Sequence, residues 1–127
     1  MYCRYIIEMA KSILIIDDDR RLCRELVSCL EEEGYSAEYA LDGFQGIALA
    51  SQKRYDIVFL DVKIPNAKGF GIMIKMKKLH PETPVVLITA HPYIEQLISK
   101  GNVSTLLSGF LKKPFSVNSL LDKIKTL

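Results

Sequence analysis

Five short apolar runs recur along the chain, and the intervals between them carry helical rather than strand periodicity. The runs are SILII (12–16), YSAEYA (35–40), DIVFL (56–60), PVVLIT (84–89) and GFLK (109–112). In the first interval Leu22, Leu26 and Leu30 recur at helical spacing beside Val27, and Gly34 suits the position just past a helix end. Phe44, Ile47 and Ala48 mark a second helix, with Asp42 placed to cap it. Gly69–His80 reads as a third, closed by Pro81, and Pro92–Lys100 as a fourth, stopped near Gly101. The last is the clearest: Val117, Leu120, Leu121, Ile124 and Leu127 form one stripe behind Ser116 as N-cap. Strands alternating with helices predict an α/β fold, (βα)5, with a parallel sheet covered on both faces. ILII, IVFL and VVLI are apolar throughout, as strands buried on both sides are, whereas YSAEYA alternates and fits a sheet edge. Met73 and Met76 read as core or interface filler, and His80, ahead of a proline, as a surface residue.

A chain of 127 residues makes one ordinary domain. The pattern occupies residues 10–127, and residues 1–9 read as an extension before it. A formal net charge of +2 is too weak for a nucleic-acid-binding surface, which needs a clustered basic face. No apolar run is long enough to cross a bilayer, and MYCRYIIEMAK, with early charges and no long apolar stretch, makes a poor signal peptide. Cys3, Cys23 and Cys29 are odd in number and lack metal-ligand spacing, as expected of free thiols in a reducing cytoplasm.

The chemistry sits where the strands end. ILII runs into Asp17-Asp18-Asp19, IVFL into Asp61, VVLI into Thr89 and GFLK into Lys113. In an open parallel sheet these ends share one edge, the edge where ligands bind. Carboxylates from separate loops make a hard oxygen site suited to Mg2+, which would relieve the repulsion among them. A hydroxyl and an ammonium beside them suit an anion with several oxygens, such as a phosphoryl group. A carboxylate in that setting can also act as a nucleophile on phosphorus. Asp19 is better used as the cap of the first helix, where negative charge is favoured.

These motifs, in this order, resemble the receiver domain of two-component response regulators over residues 11–127. The carriers are DDD after the first strand, LDVKIPNAKG at 60–69, ITA at 88–90 and FLKKPF at 110–115, with Asp61, Pro65 and Gly69 reproducing the family's D-x-x-x-P-x-x-x-G spacing. The resemblance implies a flavodoxin-like, doubly wound sheet of order 2-1-3-4-5. It implies that Asp61 is the phosphoacceptor, fed by a histidine kinase or phosphotransfer protein. Asp18 would bind Mg2+ directly, Asp17 mainly through water, and the backbone carbonyl of Lys63 would add a ligand. Thr89 and Lys113 would hold phosphoryl oxygens, and Lys113–Pro114 would be cis. Phe110 matches the aromatic switch position, turning inward as Thr89 moves and so reshaping the face formed by the fourth helix, fifth strand and fifth helix. Lys63 and His91, two residues past Asp61 and Thr89, fall where side chains tune the lifetime of the phosphorylated state. Such a domain catalyses only its own phosphorylation and dephosphorylation, touches neither membrane nor nucleic acid directly, and works through an output domain or partner protein; a homodimer is compatible with it. The interval SKGNVSTLLSGF departs from the family, which usually carries a GA pair there, so the departure bears on output rather than on phosphorylation.

Two other functions compete. A haloacid-dehalogenase-type phosphatase needs a second Asp two residues after the nucleophile, and that place holds Lys63. A phosphate-independent pseudo-receiver that merely docks would have lost part of the set, yet Asp17, Asp18, Asp61, Thr89 and Lys113 all stand.

Overall fold

Each apolar run forms a strand, and the five pair in parallel in the order β2-β1-β3-β4-β5. The strands are β1 (Ser12–Ile16), β2 (Ser36–Ala40), β3 (Ile57–Asp61), β4 (Val85–Thr89) and β5 (Gly109–Lys112). The helices between them are α1 (Arg20–Glu32), α2 (Gly43–Gln52) and α3 (Ala67–Leu79), and a C-terminal helix covers Val117–Lys125. These coordinates come from a computed structural model, which describes residues 10–62, 67–93, 96 and 104–127. The proposed extension at 1–9, Lys63, Pro65 and most of the fourth helix expected at Pro92–Lys100 lie outside the described residues. The strand order is the doubly wound order expected, with the alternating strand β2 at an edge.

Alternation along each strand splits the core into two layers. Leu14, Ile16, Val58, Leu60, Val85 and Leu87 face α2 and α3, meeting Ala50, Met73 and Met76. Ile13, Ile15, Phe59, Val86 and Ile88 face the other way, against Cys23, Leu26 and Leu30 of α1 and Leu120 and Ile124 of the C-terminal helix. Burying a leucine of this kind contributes about 1.5–3 kcal/mol, so the α1 stripe alone anchors that helix.

Helix ends follow from local chemistry. Asp19, Asp42 and Ser116 each accept a hydrogen bond from the backbone N–H three residues on, capping α1, α2 and the C-terminal helix. Gln45 returns the bond by accepting from the Leu41 N–H, closing a reciprocal cap on α2. Gly34 adopts φ 91°. There the Gly34 N–H reaches the Glu31 carbonyl and the Tyr35 N–H the Leu30 carbonyl, the paired bonds of a glycine-terminated helix.

The second helix forms behind its Asp42 cap, but of the apolar residues that mark it Phe44 is 84% exposed, and α2 buries Gly46 and Ala50 instead. The reason is close approach, since a Cβ on Gly46 would collide with Ile16. A helix that lies this near a sheet presents its smallest residues, and hydrophobicity misreads its phase. His80 is half-buried rather than on the surface, its Nε2 lying 2.7 Å from the Ala50 carbonyl at the end of α2.

Candidate functional site

Register brings the strand ends level. Ile16 pairs with Leu60, so Asp17 follows β1 at the height where Asp61 ends β3. Asp61 pairs with Ile88, and Thr89 with Lys112, so the hydroxyl and Lys113 sit just beyond on neighbouring strands. The Lys113 N–H donates to the Thr89 carbonyl at 2.8 Å, which extends the β4–β5 pairing past the last residue of β5. The next peptide, Lys113–Pro114, is cis.

Lys113 turns back across the edge. Its Nζ donates to Asp17 Oδ2 at 2.7 Å and lies 3.5 Å from Asp61 Oδ2. Asp17 is buried and its second oxygen accepts from the Asp19 N–H at 2.9 Å. Asp18 is exposed, and the Asp61 side chain is 5% exposed. Carboxylate oxygens of Asp17, Asp18 and Asp61 all lie within 4.8 Å of one another. Asp17 and Asp61 therefore share one ammonium, and the electrostatics show it. Burial first, and then the charge of Asp17, push the Asp61 carboxyl up to about 6, against the opposing pull of Lys113. For Lys113 burial works to lower the pKa, but the bonds and charges of Asp17 and Asp61 outweigh it and raise it.

The carboxylates open into a cleft of about 220 Å3 whose walls include Leu41, Asp42, Gly43 and Ile72. The sequence marks Asp42 only as a helix cap. Its place directly after β2, on the same sheet edge, was the available signal. Cys23, on α1 behind the site, donates its S–H to the Asp17 carbonyl at 3.3 Å. Burial, then the charges of Asp17 and Asp19, push that thiol up to about 12. No sequence signal marks that contact, because the acceptor is a main-chain carbonyl.

Thr89 is fully buried, and its Oγ1 accepts from the His91 N–H at 3.0 Å. His91 Nδ1 in turn accepts from the Tyr93 N–H at 3.1 Å, so the turn after β4 carries two successive side-chain bonds. Phe110 pairs in register with Leu87 and is half-buried against the α2–α3 layer, one step below the acidic edge.

The set has the chemistry of a small divalent-ion and oxyanion site: hard oxygen donors, one ammonium and one hydroxyl. Comparison with known proteins identifies the family. The model of the response regulator receiver domain matches residues 13–125. The transcriptional regulatory protein YkoG of Bacillus subtilis is 32% identical over 113 residues, 89% of this chain and 49% of that protein. The nitrogen assimilation regulatory protein NtrX of Azorhizobium caulinodans is 33% identical over 89% of this chain but only 25% of its own length. The chain thus spans about half or less of these relatives. Among solved structures, a CheY-like receiver domain protein from Methanospirillum hungatei superposes with TM-score 0.81 at 29% identity, covering 92% of both chains. Chemotaxis protein CheY4 of Vibrio cholerae gives 0.78 at 26% identity, over 92% of this chain and 98% of that one. With the family matched over nearly its whole length, this chain belongs to the response regulator receiver domains, the signalling domains of two-component systems.

Proposed function

We propose that Asp61 accepts a phosphoryl group from the phosphohistidine of a histidine kinase or phosphotransfer protein. An Asp61 oxygen bonds to phosphorus as the P–N bond breaks, and the departing imidazole takes up a proton from solvent. The observation that carries this reading is the convergence of Asp17, Asp18 and Asp61 within 4.8 Å on an edge where Lys113 reaches both Asp17 and Asp61.

The donor set fits Mg2+. Asp18 and Asp61 would hold the ion directly, with the backbone carbonyl of Lys63. Asp17 serves mainly through water, consistent with both its oxygens already accepting bonds from Asp19 and Lys113. The ion supplies charge neutralisation for the phosphoryl oxygens. Lys113 pairs with the phosphoryl group, and Thr89 gives it a hydroxyl bond. As Thr89 moves, Phe110 turns further inward and reshapes the face around β5 and the C-terminal helix, a two-state switch biased by local charge. Lys63 and His91 set how water reaches the acyl phosphate.

The domain so assigned spans residues 10–127, behind an extension at 1–9, and works in the cytoplasm. Its free thiols Cys23 and Cys29 suit that compartment. Relatives named as transcriptional regulators make gene control the favoured output. Incubation with acetyl phosphate and Mg2+ tests the reading. A base-labile mass increase that Asp61→Asn abolishes is expected, whereas no increase in the wild type overturns it.

A further inference from the structure

A second hollow continues from the acidic cleft, sharing Asp42, Gly43 and Ile72 with its wall. Between α2 and α3 lies a groove of about 470 Å3 lined by Asp42, Gly43, Phe44, Gly71, Ile72 and Lys75. Its floor is where the helices meet: a Cβ on Gly43 would stand 2.5 Å from the Ile72 side chain. Its rim is Phe44, 84% exposed, on the first turn of α2. Leaving an aromatic ring in water forfeits the burial that makes it stabilising. Over the groove Gly71 offers open space, since a Cβ added there meets nothing within 4 Å. The patch therefore holds a protruding ring and, directly beside it, a hollow that a ring can enter.

The charges are arranged to match. Asp42 lies at the α2 side of the groove and Lys75 at the α3 side. A two-fold interface requires a patch complementary to itself, residue against partner residue in both directions. Ring, hollow, carboxylate and ammonium all line this one groove, the composition a self-complementary patch requires. We infer that this face pairs with a second copy of the chain, each Phe44 entering the other's groove over Gly71 and Ile72, with Asp42 opposite Lys75. Its placement has a consequence for signalling. The groove lies between α2 and α3, on the face of the sheet that carries Leu14 and Val58, whereas the C-terminal helix packs on the opposite face and β5 is an edge strand. Pairing through α2 and α3 leaves β5 and the C-terminal helix free for an output partner. The patch is small, so the association is weak.

Sedimentation velocity of the whole chain from about 10 µM to about 1 mM tests this. Concentration-dependent dimerisation is expected in the wild type. Phe44→Asp removes the ring, and Gly71→Met fills the hollow; each weakens association by about tenfold or more, the loss typical of a central interface contact. Both positions are solvent-accessible, and thermal unfolding of each variant verifies that the fold persists. A wild type that stays monomeric to about 1 mM, or association unchanged in either variant, overturns the proposal. The first result leaves the groove to a different partner. Neither result bears on whether Asp61 takes phosphate, which the acetyl phosphate experiment reads separately.

Discussion

Replacing Asp61 by Asn should make the metal-free domain more stable. The carboxyl is pushed from 3.8 up to about 6 by burial and by Asp17, while Lys113, 3.5 Å away, offsets only part of that cost. Its folded pKa lies above the unfolded one, so the contribution is fully present below pH 3.8 and lost as pH rises through about 6. At pH 7 the wild type has lost all of it. A shift of about two units at 1.36 kcal/mol each caps the penalty near 3 kcal/mol, and coupling to Asp17 and Lys113 makes about 1–3 kcal/mol the expected gain. The amide keeps the shape of the side chain and leaves the 2.7 Å pair between Lys113 and Asp17 in place. Urea unfolding in EDTA at pH 4, 5, 6 and 7 is the assay. The advantage of the Asn variant should be largest at pH 7 and fall most of the way to zero by pH 4. Added Mg2+ should stabilise the wild type and not the variant. A variant less stable than the wild type at pH 7, or a gain as large at pH 4 as at pH 7, would refute the reasoning.

Asp19→Ala should cost about 1 kcal/mol in chemical unfolding through loss of the 3.0 Å cap to the Leu22 N–H, while leaving phosphorylation by acetyl phosphate intact. The two helical glycines should behave oppositely. Gly71→Ala, in open space, should gain up to about 1 kcal/mol from helix propensity, whereas Gly46→Ala should lose about 1–3 kcal/mol by overpacking against Ile16; equal signs in thermal melts would contradict the packing described. Tyr55 is buried, and its phenol, raised from 10 to about 12 by burial and by Glu38, should cost stability as pH climbs through that window, where only the unfolded chain ionises. Tyr55→Phe should flatten that fall relative to the wild type in urea titrations between pH 10 and 12. Thr89→Ala should still accept phosphate but fail to move Phe110, so that identical fluorine NMR shifts at a labelled Phe110 in both proteins would tell against the switch.

The sheet was legible because its signal is redundant. Each central strand is apolar throughout, each ends in a polar residue, and parallel pairing leaves only one edge for those residues to share. Asp19 was legible as a cap because capping depends on the next three residues alone. What escaped the sequence depends on distance in three dimensions. α2 turns Gly46 rather than Phe44 toward Ile16, and a small residue carries no hydrophobic mark. His80 bonds a carbonyl 30 residues away, which no local pattern records. Asp42 was read for its cap and not for its second position on the cleft wall, since one carboxylate can do both. The fold asks for periodicity, which a sequence displays; the cleft asks for neighbours, which it does not.

The Cys23 sulfur gives the molecule an internal clock. It is fully buried under α1, donates to the Asp17 carbonyl and is held as the unreactive thiol by a pKa raised to about 12. An alkylating reagent can reach it only when α1 lifts from the sheet. Its labelling rate, measured by peptide mapping against the half-buried Cys29 on the same helix, therefore counts those openings. Any ligand that tightens the β1 end of the sheet should slow that count, and one that loosens it should quicken it, with no probe introduced from outside.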